Sequence, residues 1–260
     1  MSDEVLIENS GGVRIITLNR PDRLNALTNS IMAPLADTCA DAARDPSVGC
    51  VVVTGAGRGF CAGGDFKDNE REKLMTAPNR ETGTSVEQGY ARLRPFAETS
   101  RLLHEMPKPT IAMVNGPCAG AGIGIAGACD LRFAGRSASF VTAFERTGAS
   151  GDFGSTWFWT KILGTGVARE LFLLGEKLSA EEAFAKGIYT RLHDDESLRD
   201  ETLKVAHRLA EGSRTGLGYM KRSLNNAEDW AFEAALDAEA MNMSLSVAAN
   251  VLIDGQEGKV

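Results

Sequence analysis

The chain has 260 residues, a mass of 27.7 kDa, 28 basic against 35 acidic side chains, and a net charge of −7 with pI near 5.2. That length suits one large domain, or one domain with a small appendage, burying enough apolar surface to need no disulfide or metal staple. The acidic balance argues against nucleic-acid and anionic-membrane partners, which both call for a basic face, and no apolar run reaches the ~18 residues of a membrane span.

The opening MSDEVLIENS carries acids where an export leader needs bases, so a cytoplasmic location is expected. Cys39, Cys50, Cys61, Cys118 and Cys129 are odd in number and scattered, without a CxxC, and His is limited to three. This reads as reduced thiols and no metal centre. Gly is frequent (28) and Pro scarce (8), a composition of tight turns rather than disorder.

In chain order, Val5–Ile7 and Val13–Leu18 flank Asn9-Ser10-Gly11-Gly12 and predict a hairpin. Thr28 or Asn29 caps a helix to Arg44, with Ile31, Met32, Leu35, Thr38 and Cys39 at helical spacing. Cys50–Thr54 (CVVVT) reads as a strand buried on both faces. The Gly-rich run 55–65 follows, then a polar surface segment over 66–85. One helix is expected over Gln88–Met106, ended by Pro107 and Pro109. Thr110–Val114 is a strand, residues 115–130 turn into a helix, and Leu131–Ala134 and Ala138–Thr142 are strands. Ser155 caps a helix through Leu163, and Tyr189–His193 is a short strand. Residues 1–195 thus read as a β/α core and 196–260 as a helical region.

Two Gly-rich loops, Phe60–Asp65 and Asn115–Gly122, each follow a buried strand, where α/β proteins place ligands. Small residues let main-chain N–H groups approach a ligand, and the second loop opens a helix. Two N–H groups on one oxygen make an oxyanion hole; a structural reading, glycines for turns alone, stands beside it. Gly122-Ile-Gly124-Ile-Ala-Gly127 also fits the GxGxxG dinucleotide fingerprint. Asn115–Ala121 separate it from the strand, however, and close helix packing explains the glycines more simply.

Together these stretches resemble the crotonase superfamily, the enoyl-CoA hydratase/isomerase family. The matches are Leu24-Asn25-Ala26-Leu27, Phe60-Cys-Ala-Gly-Gly-Asp65, Pro107–Gly116, Gly120-Ala-Gly122, Cys129-Asp130, the run Gly148–Gly154, Leu174-Gly-Glu176, Ala180-Glu-Glu-Ala183 and Gly187. The resemblance runs from about residue 5 to 258 and implies an α/β fold, a crotonase-type ββα spiral core with a C-terminal helical trimerisation region. It implies an acyl-CoA thioester substrate, no separate cofactor, and a homotrimer or dimer of trimers. The oxyanion donors would be the Gly64 and Ala121 N–H groups. Leu24, Asn25, Ala26, Leu27, Ala62, Asp65 and Lys67 would lie along the CoA moiety. The chain also ends two residues after Asp254-Gly-Gln-Glu-Gly258, short of the family's usual tail.

The acid/base positions depart from the family pattern. Where a hydratase of this type carries two Glu, this chain has Gly124 and Phe144, with Glu145 one residue away. Asp152 instead matches the catalytic Asp of dienoyl-CoA isomerases, ring-oxepin isomerases and chlorobenzoyl-CoA dehalogenase. Dehalogenation would further require a His and a Trp where this chain has Ala97 and Phe144. Phe144, Phe153 and Trp157 are expected to form an apolar acyl pocket that raises the Asp152 pKa; the other reading of Asp152 is a turn former. With one carboxylate, proton shuttling in double-bond isomerisation is the simpler chemistry, and hydration is the alternative. A catalytically silent acyl-CoA-binding homologue and an NAD-dependent oxidoreductase are the readings from other classes.

Overall fold

The computed structural model describes residues 4–65 and 85–257, with side chains to residue 249. Lys67 and the expected surface segment over 66–84 lie outside the described residues. Val5–Ser10 (β1) and Val13–Leu18 (β2) form the antiparallel hairpin, with Ser10 opposite Val13. Gly11 and Gly12 both take left-handed φ values, +52° and +79°, as a two-residue hairpin turn of this hand requires. Helix α1 (Asn29–Arg44) and strand β3 (Cys50–Gly55) follow as the spacing predicts.

The single helix expected over 88–106 is two: α2 (Val86–Phe96) and α3 (Glu98–Glu105), divided at Ala97. Pro95 has no N–H to continue the ladder, so the break falls beside it. Ser85 and Gln88 cap α2 reciprocally, with Ser85 N donating to Gln88 Oε1 at 2.9 Å, which starts the helix earlier than its apolar spacing suggests.

Strand β4 (Thr110–Val114) leads through short β5 (Pro117–Ala119) into α4 (Ala121–Ala128). The succession repeats with β6 (Leu131–Gly135), β7 (Ser139–Val141) and α5 (Ser155–Leu174). Ser155 is the first residue of α5 rather than its cap. Gly154, at φ +72°, holds that place. The predicted end at Leu163 marks a kink instead: Gly164 is non-helical (φ +77°, ψ 162°), and the helix resumes to Leu174. Then come β8 (Leu178–Ser179), which the residue pattern does not predict, α6 (Ala180–Ala185), and β9 (Arg191–His193), the last part of the run read from Tyr189. Helices α7 (Asp195–Glu211), α8 (Arg214–Ala227) and α9 (Phe232–Glu257) complete the chain.

The main sheet has the order β1-β2-β3-β4-β6-β9, parallel except for β1; β5, β7 and β8 form a smaller one. Strand alternation sends successive residues to opposite faces. Val51, Val53, Ala112 and Val114 join one apolar cluster with α1, α4 and α5 residues. Cys50, Val52, Ile111 and Met113 join the other, covered by Leu198, Val205, Ala206 and Ala210 of α7. Burial on both faces is why β3 reads as an unbroken apolar run. Helix α8 is anchored by buried Lys221, whose Nζ donates to Leu103 O at 2.7 Å and pairs with Asp130 at 2.9 Å. Among the described residues no helix is long and apolar enough to cross a membrane.

Candidate active site

The loops after β3 and β4 are zipped together by main-chain bonds. Phe60 N and Cys61 N donate to Pro117 O, and Ala119 N returns to Cys61 O at 2.9 Å. Beyond this pairing Gly63 (φ +86°) meets Gly120 and Ala121 in direct main-chain contact. A Cβ built on Gly63 would stand 2.9 Å from Ala119 O and 3.2 Å from Ala121 N. A Cβ on Gly122 would be 2.5 Å from Cys61 O. Glycine is therefore required for contact at these positions, not for turn conformation alone.

The two N–H groups read as oxyanion donors come out of this contact. Gly64 N and Ala121 N donate to no acceptor among the described residues. Ala121 is the first residue of α4 and is buried, so its N–H carries the positive end of the helix dipole in a place poor in water.

The stretch 24–27 lies alongside the first loop: Leu27 N donates to Gly63 O at 2.7 Å, Asp65 N to Leu27 O, and Ala62 N to Leu24 O. The structure thus brings together those of the residues expected along CoA that it describes, Leu24–Leu27, Ala62 and Asp65, but turns several side chains inward. Asn25, itself left-handed at φ +56°, accepts from Arg20 N (2.8 Å) and donates to Ala56 O (3.0 Å) and Gly59 O (2.7 Å). Buried Asp65 pairs with Arg20 at 3.1 Å, and Arg20 also donates to Ala26 O. Ala26 and Leu27 are buried; Leu24 and Ala62 keep partial exposure.

Asp152 sits in a turn closed by Ser155 N donating to its carbonyl at 2.9 Å, and its Oδ1 is shielded from solvent. The turn rests on α4. A Cβ on Gly124 would lie 2.7 Å from Phe153 Cβ, 2.9 Å from Phe153 O and 3.2 Å from Asp152 O. Gly124 is three residues after Ala121, hence on the same helix face one turn below the donor. The space that a carboxylate side chain at position 124 would need is filled by the Asp152 turn.

Glu145 is turned elsewhere. Its Oε1 pairs with Arg146 Nε at 3.0 Å, and its carboxyl packs over Gly175, the residue that ends α5. Phe144 is buried and stacks on Phe172, with ring centroids 5.9 Å apart, and Phe153 is buried. Trp157 is 38% exposed and contacts His104 and Phe158 edge-on. It lines a cleft of about 910 Å³ with His104, Arg101, Arg222, Tyr219 and Trp230. Sequence reasoning missed this cleft because its walls come from separated elements. Burial, then the Lys221 charge, pulls the His104 pKa below its usual value.

All five cysteines are free and buried. Burial drives the Cys118 thiol, within the second loop, well above its ordinary pKa, so it is no thiolate nucleophile. Among the described residues no His, Cys, Asp or Glu cluster could hold a metal. The GxGxxG glycines are taken up by packing: Gly122 on Cys61, Gly124 on Phe153, Gly127 on Phe158 and Trp159.

The chain is 41% identical over 239 residues (92% of this chain, 88% of the relative) to the 1,2-epoxyphenylacetyl-CoA isomerase of Escherichia coli. Its fold matches the crystal structure of enoyl-CoA hydratase subunit I from Geobacillus kaustophilus, with TM-score 0.85 and 31% identity over 98% of this chain and 93% of that one. It also matches an enoyl-CoA hydratase from Polaromonas, with TM-score 0.84 and 28% identity over 94% and 91% of the two chains. The sequence profile described as enoyl-CoA hydratase/isomerase covers residues 8–252, and with these likenesses it shows that the chain belongs to the enoyl-CoA hydratase/isomerase family and is an enzyme of that type.

Proposed function

We propose that the enzyme shifts a double bond in an acyl-CoA thioester, with Asp152 carrying the proton and the Gly64 and Ala121 N–H groups holding the thioester oxygen. Asp152 takes a proton from the carbon beside the thioester carbonyl of a 3-enoyl-CoA. The electron pair delocalises through the carbonyl and the alkene as a dienolate, whose charge rests on the oxygen between the two N–H groups. Protonated Asp152 returns the proton at the far end of the three-carbon system, leaving the 2-enoyl-CoA. Each N–H donor is worth about 3–4 kcal/mol of barrier in such a role. The observation that carries the reading is the seating of the Asp152 turn on Gly124, one helical turn from Ala121. The 41% identity to an enzyme named as an acyl-CoA isomerase favours it.

In this reading CoA is part of the substrate and no cofactor is needed. Phe144 and Phe153 wall the acyl group, and Trp157 borders its outer end. Residues 1–195 form the spiral catalytic core, and 196–260 the helical region through which a homotrimer or dimer of trimers forms in the cytoplasm. Phe232, Met241 and Met243, exposed along α9, are apolar surface suited to such a contact.

Enoyl-CoA esters followed by mass and absorbance test this reading. Isomerisation keeps mass, and Asp152→Asn lowers turnover at least ~100-fold. A product heavier by one water supports instead the hydratase reading, which likeness to the Geobacillus and Polaromonas hydratases favours. An Asp152→Asn enzyme as active as wild type on every ester removes Asp152 from the mechanism. No turnover by either form points to a silent acyl-CoA-binding homologue. Thermal stabilisation by NAD and not by CoA esters points to an oxidoreductase.

A further inference from the structure

We infer that Gly124 and Phe153 are a matched pair of positioning residues: the bare surface of Gly124 seats a left-handed turn at Phe153, and that seat sets the aim of the Asp152 carboxylate. The inference rests on the reading of Asp152 as proton carrier.

The turn from Asp152 to Ser155 has both central residues left-handed, Phe153 at φ +51° and Gly154 at +72°, and Gly151 before it stands at +109°. This is the mirror-image hand of an ordinary turn, which Gly, Asn and Asp fill readily. A bulky side chain there is a backbone outlier, and such outliers persist only where the surroundings over-determine them. Two features do so here. The Phe153 side chain is 3% exposed, locked into the main apolar cluster. Its Cβ and carbonyl oxygen, with the Asp152 carbonyl, lie against Gly124 at distances that leave no room for a methyl group.

Gly124 is specific to this task. Gly122, two residues before it, faces Cys61, and Gly127 faces Phe158 and Trp159. Any side chain at 124 displaces the Asp152 carbonyl and the residue after it together, and the carboxylate moves with its own backbone. A side-chain acid on residue 124 and a proton-carrying Asp152 in this turn therefore exclude one another in this chain. The pair commits the site to one carboxylate, which is a specificity device as well as a support.

The test compares Gly124→Ala, Phe153→Gly, the double variant and Asp152→Asn. It reads kcat, KM and the pH profile on a 3-enoyl-CoA ester, and α-hydrogen exchange into D2O by mass spectrometry. Melting curves establish that each variant is folded. Gly124→Ala is expected to lower kcat and exchange about 100-fold with KM changed little, the scale of a misplacement near 1 Å. The acid limb of its pH profile should move as well, which lost stability alone would not produce. Phe153→Gly, which accepts φ +51° without strain, loses about tenfold in kcat because the turn is no longer pinned. The double variant regains part of the activity lost in Gly124→Ala, since the nearest contact of the new methyl, Phe153 Cβ at 2.7 Å, is gone and the freer glycine peptide can turn its carbonyl, 2.9 Å away, aside. If Gly124→Ala does not fold, Phe153→Gly alone decides the matter: an unchanged kcat and pH profile overturns the pairing. Wild-type kcat in Gly124→Ala, or no recovery in the double variant, overturns it as well while Asp152→Asn remains crippled. A fully active Asp152→Asn overturns the proton-carrier reading and this inference with it.

Discussion

A methyl group placed on Gly122 would meet the Cys61 carbonyl at 2.5 Å, in the contact that holds the two loops together. Gly122→Ala should cost about 1–3 kcal/mol, read as a lower denaturant midpoint. It should also cut turnover, because Gly64 and Ala121 would be pushed apart. Asn25→Ala is expected to lose about 1–3 kcal/mol in the same assay, since Arg20 N and the carbonyls of Ala56 and Gly59 lose their buried partner. The run Leu24–Leu27 was legible as a motif, but not that Asn25 and Asp65 turn inward. Side-chain direction depends on the left-handed backbone at Leu24 and Asn25, which no local pattern announces. The absence of a carboxylate at Gly124 is plain from the sequence. That the Asp152 turn fills the space instead is a contact between segments 28 residues apart, visible only in the fold.

Elements set by apolar period were the most legible. The hairpin, α1 and β3 follow their residue patterns because one or both faces are buried. The interruption at Gly164 was legible too, since the helix was expected to stop at Leu163, but the division beside Pro95 was not, because the apolar pattern continues on either side of it. The anchoring of α8 was hidden too, since Lys221 looks like a surface lysine in sequence. Lys221→Met removes the cation beside Asp130 and a donor to the Leu103 carbonyl, both of which keep Thr110 as a partner, so α8 and α9 should become the first segment cut in limited proteolysis, with a loss of about 1–3 kcal/mol. His104, on α3 against Trp157 and Phe158 at the start of α5, gives a pH test. Its folded pKa is below the unfolded value, so the unfolded chain binds more protons as pH falls through the His range. Stability from the neutral ring is present above about pH 6.5 and is lost on acidification below it. The melting temperature of His104→Gln should fall less over that range than that of the native protein.

Across the molecule, the inner strands β3 and β4 of the central sheet are closed off from water on both faces, and the five thiols are buried. Burial pushes Cys50 and Cys129 up to about 12 and raises Cys39 and Cys118 as well. A thiol reagent at pH 8 should leave the folded protein unmodified and label it only as denaturant opens the core; rapid native labelling would contradict the described burial. The doubly covered sheet was readable from the unbroken β-branched run at Cys50–Thr54. The cleft beside Trp157 was not, because helices far apart in sequence supply its walls. The interlock of the two strand-end loops carries one more consequence. In the proposed mechanism the half of the centre that tolerates negative charge is made of main-chain N–H groups, which no exchange of residues short of proline can delete. The half proposed to handle hydrogen sits on a four-residue bend resting against one bare spot, Gly124. Descendants of this chain could acquire a different reaction by rebuilding that bend alone, while the anion cradle passed down unaltered.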